Sequence, residues 1–339
     1  MKSTIKDIAR KAGVSPSTVS RVISGSNRIS EETQKKIRAI MEEMHYRPNL
    51  LARSLVNRTT NAIGVFSATS AEISMKHPFF AEALRGMGTM AARSNMHLLV
   101  GTSASQEDDG RVVREMIDSG MIEGLILLST LRDDPVAEQL HRHNFPFVVI
   151  GHPQHGERYH RVDSDNEKAG YMVTEYLLSR GHERICYLGV DHTLSVTCQR
   201  QAGFQAALKA AGIPVSPQVF LPNPIHNGED ELPEALLAPN GPTAVVAQDD
   251  ALAIWLISAL TKTGRRVPED VSIISFNNAA VSAYTSPPLT SVEVHPFLLG
   301  EQAMALLLDL IKEPGMPPAW VEVPVQLMER GSVGRPTSD

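Results

Sequence analysis

Apolar positions along the first fifty residues recur at helical spacing in three short runs. Ile5, Ile8, Ala9 and Ala12 form the first stripe. Thr4 can supply the cap oxygen, and Asp7 sits three residues on, near the positive end of the helix dipole. Gly13 ends this helix, being free to take positive φ. Ser15-Pro16 opens a second helix, with serine as cap and proline at the first turn, where its missing N–H costs nothing. Val19, Val22 and Ile23 face inward there. A third helix starts at Ser30, with Glu31 and Glu32 in its first turn, and presents Ile37, Ile40, Met41 and Met44 on one face. Two short helices joined by a glycine-containing turn predict a helix-turn-helix, and the third helix closes a small core. Tyr46-Arg47-Pro48-Asn49 breaks the pattern. Asn49 can cap residues 50–56, a segment too short to be a stable helix alone in water. Its leucines have nothing nearby to cover them except a partner chain or DNA.

Beyond a basic linker at 57–60 the period changes. Short apolar runs at 62–66, 98–101, 124–128, 147–150, 185–188, 244–247 and 272–276 read as buried strands. Helical stretches at 80–92, 109–118, 168–180, 199–211 and 252–263 alternate with them. Such alternation predicts parallel sheets covered on both faces, and the count suits two doubly wound lobes rather than one eightfold barrel. Ligands of such sheets bind beyond the carboxyl ends of the strands, so the cleft between two lobes is the natural site. The predicted class is α/β with an all-α head.

Charge adds a functional direction. The 339-residue chain carries −6, but residues 1–60 hold twelve Lys and Arg against five Asp and Glu, a net +7, which leaves −13 on the rest. A basic head on an acidic body points to one end meeting a polyanion. The second helix fits this. Ser17, Thr18, Ser20 and Arg21 are left outward, small enough for a major groove and able to reach base edges. Arg21 is the expected bidentate guanine contact, with Pro16 and Ser17 as further base-edge contacts. Thr4, Ser15, Thr18, Ser20 and Asn27 are candidates for phosphate contact.

The run from Thr4 to residue 56 closely resembles the head of the lactose-repressor family of bacterial regulators. The matching strings are Ile5-Lys6-Asp7-Ile8-Ala9, Ala12-Gly13-Val14-Ser15, Thr18-Val19-Ser20-Arg21-Val22, and Tyr46-Arg47-Pro48-Asn49 leading to Ala52-Arg53-Ser54-Leu55. The resemblance implies a homodimer whose two heads read a near-palindromic operator. It also implies a hinge segment that folds only on the operator, with Asn49, Ala52 and Leu55 on DNA and Leu55 wedged between base pairs from the minor groove. An apolar wedge of this kind kinks DNA toward the major groove. The body resembles, more loosely, the two-lobed fold of periplasmic binding proteins, through Asn61-Ala62-Ile63-Gly64-Val65, Val162-Asp163-Ser164-Asp165-Asn166, Arg200-Gln201-Ala202-Gly203-Phe204 and Pro287-Pro288-Leu289-Thr290. The resulting division is a helix-turn-helix domain at 1–47, a hinge and linker at 48–60, and a body at 61–331. The body's N-lobe is expected over 61–161 and 291–318 and its C-lobe over 162–290 and 319–331, followed by a tail at 332–339. The resemblance makes Phe79 and Phe80 ligand-stacking aromatics and Arg200 an effector-gripping arginine. Gln248, Asp249 and Asn277 end strands and point at the cleft. Asn277 departs from the aspartate usual in the family; a neutral amide both donates and accepts, so a hydroxyl-rich ligand still fits, whereas a ligand that needs a carboxylate partner does not. Asn144 to Gly151, taken with Ser275-Phe276-Asn277-Asn278, is most similar to maltose and maltodextrin repressors, which implies an α-glucoside effector; within the family the alternatives are another sugar, a purine or a protein corepressor.

Other classes fare worse. The chain has no Gly-x-Ser-x-Gly elbow, P-loop or His-Glu-x-x-His, so an enzyme is not expected. His141 and His143 fall on different helix faces, and His152, His155 and His160 lack tight ligand spacing, so neither metal nor cofactor is expected. Asp163 and Asp165 read as helix caps and crossover residues. Two cysteines imply no disulfide framework. No apolar run approaches the ~20 residues that span a bilayer, and residues 1–20 lack a signal peptide's apolar core, so a cytoplasmic location is expected. A sugar-binding module without DNA function does not account for residues 1–56. The C-terminal residues carry no leucine heptads, so a dimer is expected rather than a four-chain bundle.

Overall fold

The computed structural model describes residues 4–23, 28–46, 60–67, 76–103, 105–128, 131–190, 192–215, 218–220, 232–238 and 240–336. The chain divides into two compact units, Met1–Thr60 and Asn61–Asp339.

The described residues of the first unit form three helices: α1 (Ile5–Ala12), α2 (Pro16–Ile23) and α3 (Glu31–Glu43). Asp7 accepts hydrogen bonds from the Thr4 backbone N–H at 3.0 Å and from its hydroxyl at 2.6 Å, which ties down the start of α1. Gly13 takes φ +72, and the Val14 N–H then bonds back to the Ala9 carbonyl at 3.0 Å, closing the turn. The Ser30 hydroxyl accepts from the Thr33 N–H at the start of α3. Ile8, Ala9, Ala12, Val19, Val22, Ile37 and Ile40 form one small core. The Lys11–Glu43 ion pair adds an exposed tie at 2.6 Å between α1 and α3.

The second unit holds two six-stranded sheets. In chain order its elements are β1 (Ala62–Ser67), α4 (Pro78–Arg93), β2 (His97–Gly101), α5 (Gln106–Asp118), β3 (Gly124–Leu128), α6 (Pro135–Arg142), β4 (Phe147–Ile150), β5 (Arg161–Ser164) and α7 (Asn166–Ser179). There follow β6 (Ile185–Gly189), α8 (Ser195–Ala210), β7 (Gln218–Phe220), α9 (Glu234–Leu237), β8 (Ala244–Ala247), α10 (Asp250–Lys262), β9 (Ser272–Phe276), β10 (Thr290–Glu293), α11 (Pro296–Lys312), β11 (Trp320–Val323) and β12 (Gln326–Met328). The first sheet runs β11-β5-β4-β3-β1-β2 and the second β12-β10-β9-β8-β6-β7. Among the described residues, all pairings within the two sheets are parallel except β10 with β12. The central strands are buried along their whole length, as a sheet covered on both faces requires.

The lobe limits differ from those expected. β5 keeps residues 162–164 in the first sheet, because the Arg161–Ser164 register continues β4 and pairs with β11. β10 keeps 291–293 in the second sheet, paired with β9. Residues 320–323, placed above in the C-lobe, are the edge strand β11 of the N-lobe. The crossings therefore fall after 164, after 293 and between 323 and 326. Nor is 332–336 a tail. Ser332 is wholly buried; its hydroxyl donates to the Ile273 carbonyl at 2.6 Å and accepts from the Thr290 N–H at 2.8 Å, and Val333 packs into the C-lobe core. Strands β5, β7, β10, β11 and β12 were not anticipated.

Each lobe has one helix pair in close contact. In the N-lobe, α4 meets α11 where a Cβ on Gly86 would strike the Phe297 carbonyl and one on Gly300 the Ala83 carbonyl. In the C-lobe, α7 meets α8 where Gly170 abuts the Arg200 backbone and Gly203 the Glu167 carbonyl. The second pair brings the backbone of Arg200 against the start of α7.

Candidate functional sites: the head helix and the interlobe cleft

In the head, Pro16, Ser17, Ser20 and Arg21 are exposed, while Val19 and Val22 are buried beneath them. Ser17, Ser20 and Arg21 are spaced i, i+3 and i+4, so they share one outward face of α2. The Ser15 hydroxyl accepts from the Thr18 N–H at 3.1 Å and lies 2.7 Å from the Ser17 hydroxyl and 2.9 Å from that of Thr18. These three hydroxyls gather at the positive end of α2, where backbone N–H groups and the dipole favour an anion. Thr4 is exposed at the start of α1, and its hydroxyl is held by Asp7. Asn27, Asn49, Ala52 and Leu55 lie outside the described residues.

In the body, Arg200 is the centre of the site. It sits one turn into α8, 4% exposed. Its Nε donates to Asn166 Oδ1 at 3.0 Å, Nη1 to the Gln248 carbonyl at 2.7 Å and Nη2 to Asn277 Oδ1 at 3.1 Å. Its guanidinium stacks on the Phe276 ring, 4.4 Å from the centroid. One cation thus ties the start of α7 to the carboxyl ends of β8 and β9, where a doubly wound sheet binds ligands. Asn277 holds φ +97, a backbone state that an asparagine tolerates better than most residues. With Oδ1 engaged by Arg200, the other end of the amide is its Nδ2 donor. The side chain of Gln248 is otherwise used: its Oε1 accepts from the Val190 N–H at 2.9 Å.

Asp163 lies beside this hub at the first crossing. Its Oδ1 accepts from the Ser164 N–H at 2.8 Å and from Asn166 Nδ2 at 3.1 Å. Burial pushes its carboxyl up to about 7, against the pull of the Ser164 N–H and the Arg200 charge. Asp165, not Asp163, caps α7, accepting from the Lys168 N–H at 2.8 Å.

Asp249 is both a helix cap and a cross-cleft partner. Its Oδ1 accepts from the Leu252 N–H at 2.9 Å, and its Oδ2 faces His77 Nε2 of the opposite lobe at 3.5 Å. Burial alone would raise the Asp249 carboxyl, but the hydrogen bond and charge of His77 hold it below the ordinary range. Next to it, Asp250 is buried under donors from Ser275, Ser282, Ser291 and the Ala279 N–H, which fixes the strand ends around the site.

The two aromatics separate. Phe79 is half-buried and packs against the cores of both lobes, so it lies at the cleft. Phe80 is 5% exposed within the N-lobe core, because one residue further along a helix points about 100° away; its stacking role is corrected to a core role. His77, Asn166 and Asp163 are the site groups that sequence reasoning did not assign. Asn166 and Asp163 stood inside a string matched for its fold, and His77 belongs to no motif. Among the described residues no group of three His, Cys, Asp or Glu side chains could hold a metal, and no helix is long and apolar enough to cross a membrane.

Comparison with known proteins agrees with both units. Residues 4–49 match the model of bacterial regulatory proteins of the lacI family, and residues 174–333 match a periplasmic binding protein-like domain. The chain is 30% identical over 329 residues to the HTH-type transcriptional regulator MalR of Staphylococcus xylosus, covering 97% of each chain. It is 32% identical over 320 residues to the HTH-type transcriptional repressor PurR of Vibrio parahaemolyticus, covering 92% of each. Among solved structures, the transcriptional regulator CelR–cellobiose complex aligns with a TM-score of 0.75 at 28% identity, over 98% of this chain and 100% of that one. These full-length relatives are regulators rather than enzymes. A helix-turn-helix head joined to a two-lobed parallel-sheet body therefore identifies the chain as a DNA-binding transcriptional repressor of the lacI family.

Proposed function

We propose that the protein acts as a homodimer on a near-palindromic operator and is released from it by an α-glucoside effector, maltose or a maltodextrin. The observation that carries the effector reading is the Arg200 hub. It presents the amide of Asn277 at the end of β9, near the Asp249 carboxylate that caps α10, with Phe79 at the cleft. Donors and acceptors beside an aromatic face suit a ring bearing hydroxyls on its edge and C–H groups on its faces. The likeness to a regulator solved with cellobiose and to a regulator named MalR supports a glucoside. In the head, Arg21, Pro16 and Ser17 read base edges, while Thr4, Ser15, Thr18, Ser20 and Asn27 hold phosphates. Asn49, Ala52 and Leu55 form the hinge contacts in the minor groove.

Effector binding closes or twists the lobes, which moves the two hinges apart and lowers operator affinity. Reciprocity then requires operator DNA to weaken effector binding by the same factor. Isothermal titration with maltose, maltotriose, ribose and a purine base tests the reading. Maltose or maltotriose should bind, and more weakly with operator present. A purine or ribose signal beside no glucoside signal would overturn the effector, and PurR-named relatives of equal identity make that arm necessary. Equal effector affinity with and without operator would overturn the coupling.

A further inference from the structure

Among the described residues the cleft is bridged on two sides. On one side the loop after β3 bridges the loop after β6: Leu131 pairs with Leu194, and the Arg132 N–H donates to the Thr193 carbonyl at 2.8 Å. On the other side the start of α4 meets the start of α10. There Phe79 packs against both lobe cores, and His77 Nε2 faces Asp249 Oδ2 at 3.5 Å.

The histidine is oriented from its own lobe. It is the N-cap of α4, and its Nδ1 accepts from the Phe79 N–H at 3.3 Å. A ring nitrogen that accepts carries no proton, so the neutral ring bears its hydrogen on Nε2, the atom aimed across the cleft. The carboxylate is oriented from the other lobe, with Oδ1 committed to the Leu252 N–H. The one oxygen left to it is the oxygen His77 faces. From this geometry we propose that His77 and Asp249 form a proton-controlled latch across the cleft, which a hydroxyl-bearing effector must open to reach Asp249.

The charged groups facing His77 across the cleft are Asp249, Asp250 and Arg200. Burial and Arg200 oppose the imidazolium, as does the Phe79 N–H, whose bond to Nδ1 is lost when that nitrogen takes the proton; Asp249 and Asp250 favour it, and the hydrogen bond and charge of Asp249 raise the His77 pKa. The sign follows. The latch is strongest where His77 is protonated and weakens as pH rises through its raised pKa, so an effector that displaces His77 binds more tightly at higher pH. One proton limits this linkage to about tenfold in affinity per pH unit. The effector consequence rests on the function proposed above, but the latch itself does not.

The test therefore uses the full chain with no effector. Histidine is labelled with 15N, and long-range 1H–15N spectra are recorded from about pH 5 to about pH 9, spanning imidazole titration. The His77 signals are those lost in His77→Asn, which keeps a capping oxygen for α4. Asp249→Asn likewise keeps a cap for α10 while removing the charge. The neutral ring should show the Nε2–H tautomer, and its midpoint should fall in Asp249→Asn. Small-angle scattering should show the wild-type protein expanding as pH rises through that midpoint and His77→Asn showing no such step. A midpoint unmoved by Asp249→Asn, the Nδ1–H tautomer, or identical scattering profiles of wild type and His77→Asn would each overturn the latch. A protein that binds no maltose would still pass or fail this test on its own terms.

Discussion

Replacing Asp163 with asparagine tests the electrostatics of the lobe crossing. Asp163 is 7% exposed, and its carboxyl is pushed from 3.8 up to about 7 by burial. The folded protein therefore keeps a proton that the unfolded chain has already released above pH ~4. Since the unfolded state binds fewer protons in this window, stability falls as pH rises from about 4 to about 7. About three units at about 1.4 kcal/mol each make roughly 4 kcal/mol the ceiling on that loss. The asparagine side chain would be neutral throughout and would keep the Oδ1 acceptor used by Ser164 and Asn166, so the variant escapes the loss. Arg200 does not lose a direct partner, since its three bonds go to Asn166, Gln248 and Asn277. The assay is urea unfolding followed by tryptophan fluorescence. Both tryptophans, Trp255 and Trp320, lie in the body, so the head does not contribute. Asp163→Asn should match or fall slightly below the wild type near pH 5 and exceed it by a few kcal/mol near pH 8. Parallel stability profiles of the two proteins across that range would refute the reasoning.

Arg21→Ala should cost ~1–3 kcal/mol in operator binding and relax specificity at one base pair, read by mobility shift on a panel of substituted operators. Ile8 is fully buried in the small head core, so Ile8→Ala should cost about 2–5 kcal/mol there, enough to unfold the head. Operator binding should disappear while tryptophan-detected unfolding of the body stays unchanged. Gly170→Ala places a methyl group against the Arg200 carbonyl. It should cost about 1–3 kcal/mol of body stability and weaken effector binding by shifting Arg200, whereas operator binding without effector should persist.

The local interactions of the head made it legible in the sequence. Gly13 at positive φ, Ser15 before Pro16 and Ser30 before Glu31 are turns and caps completed within a few residues and appear in the structure as read, whereas the Thr4 hydroxyl, expected to cap α1, donates to Asp7 instead. The β-α alternation of the body was equally legible, because buried parallel strands are apolar runs in any context. The tertiary structure alone decided which sheet each late strand joined. β11 and β12 are both short and partly exposed, and hydrogen bonds to β5 and β10, remote in sequence, place them in opposite lobes. Ser332 reads as a polar tail residue until its hydroxyl is found bonded to Ile273 and Thr290. The site divides in the same way. Strand ends and resemblance pointed to Arg200, Asp249 and Asn277, but the partners of Arg200 come from three separated segments and His77 comes from the other lobe. Hydrogen bonds that span 34 to 77 residues depend on how whole lobes pack, and no spacing within one segment encodes them.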